Sequence, residues 1–247
     1  MAKEFDGIRE KLKRADENIR NLDSEIVSFI EGGKYPVLLD ANGEIPDEAI
    51  AYHKNRVIPP RFGVLVGEII HHCRSCLDHI VWHFSTDIPY RDKNVRFIEF
   101  PILEKRPSEE TRFTKYDRKI KGILNSNVVR LIGGIQPYNL ADPIVSPLLA
   151  IHKMDIRDKH REIILQSSTG AFIPDDDIHE EFFRYTDMNP HVPFVYLARK
   201  FKDHGKLVPN ISFKSFCGRE IEPIVPALQK LHDFIVGIVV EFESLVT

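Results

Sequence analysis

The sequence has few cysteines, no long apolar run and almost no net charge. Three cysteines among 247 residues cannot build a disulfide framework, and apolar runs such as FIVGIVV at 234–240 are far too short to cross a bilayer. Thirty-four basic residues against 37 acidic ones leave a net charge of −3 at pH 7, so the whole chain exerts no general attraction on nucleic acid or anionic lipid. Any contact with nucleic acid must therefore be local.

Several familiar catalytic motifs are absent too. The sequence has no glycine-rich phosphate loop, no Gly-x-Ser-x-Gly elbow, no His-Glu-x-x-His pair and no EF-hand spacing, so nucleotide-dependent enzymes and the common hydrolases lose support. The N-terminal residues lack the apolar core of a signal peptide. With 43% hydrophobic and 29% charged residues, we expect a cytoplasmic, globular protein without a membrane segment.

The hydrophobic pattern predicts an α+β fold, namely a helical bundle of about five helices with a small antiparallel sheet. We expect a single domain over 1–247, made of a helical body (about 1–165) with a β-hairpin at 35–57, a β-rich segment (162–217) and a C-terminal helix (223–247) that packs back on the bundle. Further helices are predicted at 62–84, 114–133 and 147–161, and a short strand at 96–102.

The N-terminal segment has the clearest period. Its apolar residues step alternately by three and four, which places one narrow seam on a helix that ends at Gly32-Gly33. The seam consists of Phe5, Ile8, Leu12, Ala15, Ile19, Leu22, Ile26 and Phe29. It fits either a coiled-coil dimer or a long helix packed on its own domain, and the small number of heptads favours the second interpretation.

The segment 68–84 concentrates four histidines and two cysteines in 17 residues. His72, Cys76, His79 and His83 are spaced four, three and four apart, so they line one stripe and form the alternative ligand set for a metal. A continuous helix is a poor zinc site, because ligands three and six residues apart diverge. Buried cysteines acting as small apolar residues are the simpler interpretation.

The same helix contains Arg74-Ser-Cys-Leu-Asp-His79, which has the form Arg-x4-His with polar Ser75 beside the arginine. This resembles the motif of the HEPN superfamily, helical-bundle domains that include metal-independent endoribonucleases. The resemblance implies that Arg74 and His79 line a cleft across a dimer.

The chemistry of these residues fits ribonucleotide cleavage. His79 would transfer protons and Arg74 would bind phosphate, because imidazole titrates near neutrality and guanidinium matches phosphate oxygens. Asp78 would orient either partner, and Ser75 would contact the substrate. The competing interpretation makes Arg74 and Asp78 a helix-surface ion pair and His79 a residue at the edge of the core.

A second set of polar residues lies in the predicted helix 147–161. His152 and His160 interrupt its apolar face. Asp158 lies in the last turn of the same helix, and Lys159 and Arg161 are candidate substrate-binding cations at its end. The segment RSCLDHIVW followed by Asp-Lys-His-Arg resembles a group of uncharacterised bacterial proteins, which implies a prokaryotic or phage origin but no activity. If the two helices pack together, Arg74, Asp78, His79, His152, Asp158 and His160 are the candidate catalytic residues of one shared cleft.

These patterns rank three functions. The first is a HEPN-like protein directed at RNA or nucleotides, with a metal-independent endoribonuclease of a defence or stress system as its specific form. The second is a non-catalytic, homodimeric interaction protein, and the third is a metal-dependent hydrolase. No cofactor is expected for the first. Basic stretches with interleaved aromatic residues at 111–122 and 199–206 suit the binding of single-stranded nucleic acid. An ordinary solvated helix or loop surface has the same pattern.

Overall fold

The computed structural model describes residues 5–32, 55, 57–160, 165–174, 178–188, 205–213 and 223–246. Its helices are α1 (Asp6–Glu31), α2 (Pro60–Phe84), α3 (Ile88–Asn94), α4 (Glu109–Arg112), α5 (Arg118–Ile120), α6 (Ser126–Gly134), α7 (Pro147–His160), α8 (His179–Met188) and α9 (Ile224–Glu243). The described strands are β1 (Leu165–Pro174) and β2 (Gly205–Phe213), which pair antiparallel. The hairpin predicted at 35–57 and Arg161 lie outside the described residues, except for Asn55 and Val57.

The α+β prediction is wrong, because the fold is mainly helical. Among the described residues the strands form one two-stranded ladder rather than a sheet that covers the bundle. The segment predicted to be β-rich (162–217) also contains helix α8. The acidic stretch IPDDDIHEE at 173–181 suggests a loop, but its last residues begin this helix, and Glu180 and Glu181 in the first turn suit a helix N-terminus.

Helix α1 buries its seam within its own chain. Seven of its seam residues, from Phe5 to Ile26, are buried, and the helix packs on α2 and α9. Polar contacts fix the packing: Asn18 donates to Glu68 of α2 across 3.0 Å, and Arg9 pairs with Glu243 of α9. This is the second of the two interpretations of the heptad pattern, a helix packed on its own domain.

Helix α2 is the centre of the bundle. Pro59 and Pro60 open it, which suits proline at the first helical position, and backbone bonds from Ser85 close it. It contacts α1, α7 and α9, so most of its circumference is buried and its apolar residues alone do not define one face. This central position explains why Cys73, Arg74 and Cys76 of α2 are buried.

The helix predicted at 114–133 does not form as one piece. A π-helical turn at Phe113–Asp117 joins α4 to α5, and the chain turns at Gly122, where a side chain would press on Ser85 and Tyr90. Asn125 then starts α6 by accepting the backbone N–H groups of Asn127 and Val128. The strand predicted at 96–102 is also wrong, since the segment begins with a 3-10 turn and continues without strand pairing.

None of the described helices is long and apolar enough to cross a membrane.

The intramolecular seam predicts how a core variant behaves. Leu22→Ala should lower the free energy of unfolding by about 2–5 kcal/mol, because Leu22 is fully buried. Val27→Ala is the matched control on the same helix: the side chain is 46% exposed, and its loss should cost no more than about 0.5 kcal/mol. Thermal denaturation at several protein concentrations checks both. A melting temperature that rises with concentration would place the seam in a dimer instead.

Candidate functional site between α2 and α7

Helices α2 and α7 pack antiparallel through polar as well as apolar residues. Two facing pairs define the register, Gly67 with Asp158 and His71 with Asp155, and further along the charge of Arg74 acts on His152. Gly67 permits the closest approach, because a Cβ there would overlap the Asp158 carboxylate. The groove between these two helices therefore has polar groups along its length.

Arg74 is buried and bonded within the chain. Its Nη1 donates to Asp78 Oδ1 across 2.6 Å and its Nη2 donates to the Phe100 carbonyl across 3.0 Å. Asp78 Oδ1 also accepts the Phe100 N–H at 2.8 Å, so the three residues form a closed set, called here the clamp. The side chain of Arg74 is only 6% exposed and that of Asp78 is 37% exposed, so the expected surface ion pair is partly buried and links α2 to the segment at Phe100.

Gln136 holds the same segment from the other side. Its Oε1 accepts the Leu103 N–H at 3.1 Å, and its Nε2 donates to the carbonyl groups of Pro101 and Ile132. The amide is buried, so all of these bonds are shielded from water. Residues 100–103 are thus fixed against the bundle by the clamp and by Gln136 together.

His152 of α7 lies beside the clamp in a positively charged environment. Burial lowers the pKa of His152 to about 4, and the nearby charges of Arg74 and Lys119 act in the same direction. The imidazole is therefore neutral at pH 7. Its Nδ1 is buried without a hydrogen-bond partner among the described residues, which is uncommon for a buried polar atom.

His71 and Asp155 form a second polar pair, one turn further along the groove. His71 Nδ1 lies 3.3 Å from Asp155 Oδ1, and the other carboxylate oxygen accepts from Lys159 Nζ at 2.6 Å. The Asp155 side chain is 5% exposed, whereas that of His71 is 54% exposed. Asp158 lies near this pair, and burial, followed by the charge of Asp155, raises its pKa.

The six candidate catalytic residues do not share one cleft. The groove brings together Arg74, Asp78 and His152, and it places Asp158 further along. His79 lies apart from this groove: burial and the charge of Lys11 on α1 lower its pKa, and it is exposed on another face of α2. His160 is exposed at the end of α7, beyond Gly67, and is thus about 18 Å along the helix axis from His79. Ser75 is half-buried on α2.

The alternative metal ligands do not form a metal centre. Among the described residues, no group of three or more histidine, cysteine or acidic side chains is placed to hold an ion. Cys76 donates to the Ile8 carbonyl, and burial raises its pKa to about 12. His83 packs edge-on against Phe5, and the Nδ1 of His72 is buried without a hydrogen-bond partner. These four side chains are used separately, in packing and in internal contacts.

A cleft of about 780 Å³ opens on the other side of His152, between α7 and residues 102–115. We call it the basic cleft, because its rim carries Lys105, Arg106, Lys115 and Lys153. Its lining also includes one carboxylate, the apolar residues Ile102, Leu149 and Ile156, and the hydroxyl groups of Ser108 and Thr111. The carboxylate, Glu104, pairs with Lys153 at 2.8 Å.

Sequence reasoning missed several of these residues. His71, Asp155, Gln136 and the lysines of the basic cleft were not singled out, although Lys115 lies in the basic stretch 111–122. The sequence does contain a signal for Asp155. This residue comes seven positions after Leu148 and four after Ile151, which places it on the apolar side of α7. A carboxylate in such a stripe needs buried partners.

Comparisons with protein-family models, curated proteins and solved structures found no match for this chain.

The clamp predicts a cost for removing its carboxylate. Asp78→Ala should lower the free energy of unfolding by about 3 kcal/mol, because the buried guanidinium of Arg74 then has no counter-charge. Asp92→Ala is the control, since Asp92 is 66% exposed and only weakly paired with Arg91. Urea denaturation of both variants checks this. Equal free energies of unfolding for the two variants would contradict this prediction, because they would show that the buried Arg74 charge does not need Asp78 as its partner.

His152 predicts a pH dependence of stability. In the unfolded chain His152 has an ordinary pKa near 6.5 and binds a proton below that pH. In the folded protein its pKa is about 4, so it stays neutral until the pH is much lower. The contribution of His152 to the free energy of unfolding should be fully present above pH 6.5 and decrease as the pH falls towards 4. The decrease from this group is at most about 1.4 kcal/mol per pH unit. Urea denaturation between pH 7 and pH 4.5 should show a shallower decline for His152→Gln than for wild type. His160→Gln is the exposed control, and parallel curves for all three proteins would contradict the assignment.

Proposed function

We propose that this chain is an RNA-directed protein that binds strand phosphates in the basic cleft. The observation that carries the proposal is the lining of that cleft, where four cations and one carboxylate surround an apolar floor. The chain as a whole is slightly acidic, so this is the local concentration of positive charge that contact with nucleic acid requires. Lys105 and Lys115 have no ion-pair partner in the described part of the chain and are exposed.

A surface next to the basic cleft supports a single strand rather than a duplex. Lys121 lies near the rings of Tyr90 and Phe113. Phe113 is half-exposed and follows directly on α4, close in sequence to Thr111 and Lys115 of the cleft. Cations with accessible aromatic rings favour unpaired bases, which stack on the rings while lysine and arginine neutralise phosphate.

The clamp changes which groups can contact phosphate. Both terminal nitrogens of Arg74 are already bonded to protein, and the side chain is buried, so phosphate binding in this proposal belongs to the cleft lysines and not to Arg74. The HEPN-like assignment remains part of the proposal only at the level of an RNA-directed helical protein. Because His79 lies on another face of α2, near Lys11 of α1, a cleavage step beside the basic cleft needs a different proton-transfer group.

A second candidate is a non-catalytic interaction protein, and the clamp is the observation that favours it. A closed set of hydrogen bonds around the buried Arg74 side chain fixes the position of a segment and needs no substrate. The apolar seam of α1, which would form the dimer in this candidate, is buried within its own chain, so the interaction would need another surface.

Binding of labelled RNA tests the proposal. In fluorescence anisotropy with a short single-stranded RNA, Lys105→Ala/Lys115→Ala should weaken affinity at least tenfold, and the slope of log K against log salt should fall by about 1.4 for two lost phosphate contacts. Lys11→Ala/Lys13→Ala is the control, because it removes the same charge from α1, which supplies no residue to the cleft. Unchanged binding by the cleft variant, or no binding by wild type at low salt, would contradict the proposal. The same strand as DNA reports whether the 2′-hydroxyl contributes.

A further inference from the structure

The pair His71–Asp155 has the geometry of an oriented base. An ionised carboxylate accepts hydrogen bonds and donates none, so a contact of 3.3 Å with Asp155 favours the tautomer that has the proton on Nδ1 and the lone pair on Nε2. The histidine side chain is 54% exposed while the aspartate is 5% exposed. An accessible imidazole is thus held in one tautomer by a group that solvent does not reach.

Asp155 is not explained by packing alone. It occupies a buried position on α7, where an apolar residue would avoid the cost of removing a carboxylate from water. Its two oxygens are used by residues that are themselves half-exposed, His71 and Lys159. The buried charge therefore fixes two polar groups at the surface of the groove.

The pair adjoins the basic cleft. Asp155 follows His152 by three residues and directly precedes Ile156, and both of these neighbours line the cleft. Three residues of helix correspond to about 4.5 Å along the axis, so a strand that leaves the cleft along α7 passes the position of His71. Lys159 adds a cation at the same place.

Resting on the proposed RNA-directed function, we propose that His71 is the general base of a metal-independent cleavage of single-stranded RNA, with Asp155 as its positioning residue. The Nε2 of His71 takes the proton of a ribose 2′-hydroxyl, the 2′-oxygen forms a bond to the adjacent phosphorus, and the bond from phosphorus to the 5′-oxygen breaks. The leaving 5′-oxygen takes a proton from water, and the proton on His71 returns to the hydroxide so formed. The products are a 2′,3′-cyclic phosphate and a 5′-hydroxyl end, and no oxidant, reductant or metal is needed.

The test follows cleavage and binding of one RNA in the presence of EDTA. The full-length protein is incubated with a fluorophore-labelled single-stranded RNA, and products are separated on denaturing gels while binding is measured by anisotropy. His71→Ala should lower the cleavage rate at least 100-fold with less than a threefold change in affinity. Added imidazole should restore part of the rate to His71→Ala, which a purely structural role would not allow.

Two further variants separate base from positioning residue. Asp155→Asn should lower kcat while leaving KM within threefold, because it alters the orientation of His71 and not the cleft cations. His79→Ala is the matched control: it removes an exposed histidine from the same helix and should cleave like wild type. Because His71 is more than half exposed, its alanine variant should melt at nearly the wild-type temperature.

The outcomes distinguish this inference from the function on which it rests. Wild type that binds RNA without producing cyclic-phosphate ends, or His71→Ala that cleaves at the wild-type rate, overturns the inference and leaves the binding function intact. Loss of cleavage in His79→Ala but not in His71→Ala overturns it in favour of the Arg-x4-His motif. Wild type that does not bind RNA overturns both.

Discussion

The buried guanidinium of Arg74 is the constraint on which the site depends. A charged group in this position is tolerable only because Asp78 and the Phe100 carbonyl use its donors, and because Asp78 also accepts the Phe100 N–H. Phe100 is then held in the core, where its ring lies edge-on to Phe242 of α9 at 6.2 Å. Ile102 and Leu103 follow immediately and become one wall of the basic cleft. The clamp thus builds the cleft without taking part in it.

The polar groups of the α2–α7 groove fall into two kinds. Those of the clamp bond to one another around the buried Arg74 side chain, which makes them structural. His152, His71 and Lys159 instead are partly exposed to solvent, His152 less than the other two. His152 shows the electrostatic consequence: the positive charges of Arg74 and Lys119 favour its neutral form, as burial does. At neutral pH the lysines and Arg106 of the cleft, and not His152, therefore supply the positive charge that faces an anionic ligand.

Sequence reasoning succeeded where a long period was present. The seam of α1 and the extents of α2 and α7 are local properties, and the structure has helices close to the predicted bounds. It failed where the outcome depends on contacts with distant residues. The helix predicted at 114–133 breaks because Gly122 must fit against Ser85 and Tyr90, and the emphasis on β structure after 162 overlooked α8.

The candidate site shows the same division. The unusual histidines and the Arg-x4-His motif are visible in the sequence, but the motif alone does not show which way each side chain faces. Residues five apart on a helix point about 140° apart, so Arg74 and His79 can hardly serve one pocket from the same chain. The pairing of His71 with Asp155 and the lining of the basic cleft depend on how α2, α7 and residues 102–115 meet. No spacing within one segment contains that information.

The central claim is that RNA contacts the basic cleft and the adjoining groove while Arg74 stays bonded inside the protein. It is tested most directly by titrating the isotope-labelled protein with a short single-stranded RNA and following its backbone amide and arginine side-chain NMR signals. The account predicts that shifts concentrate on residues 102–115 and 149–159, with the guanidinium signal of Arg74 unchanged. Shifts centred on Arg74 and His79, with the cleft residues unaffected, would contradict it.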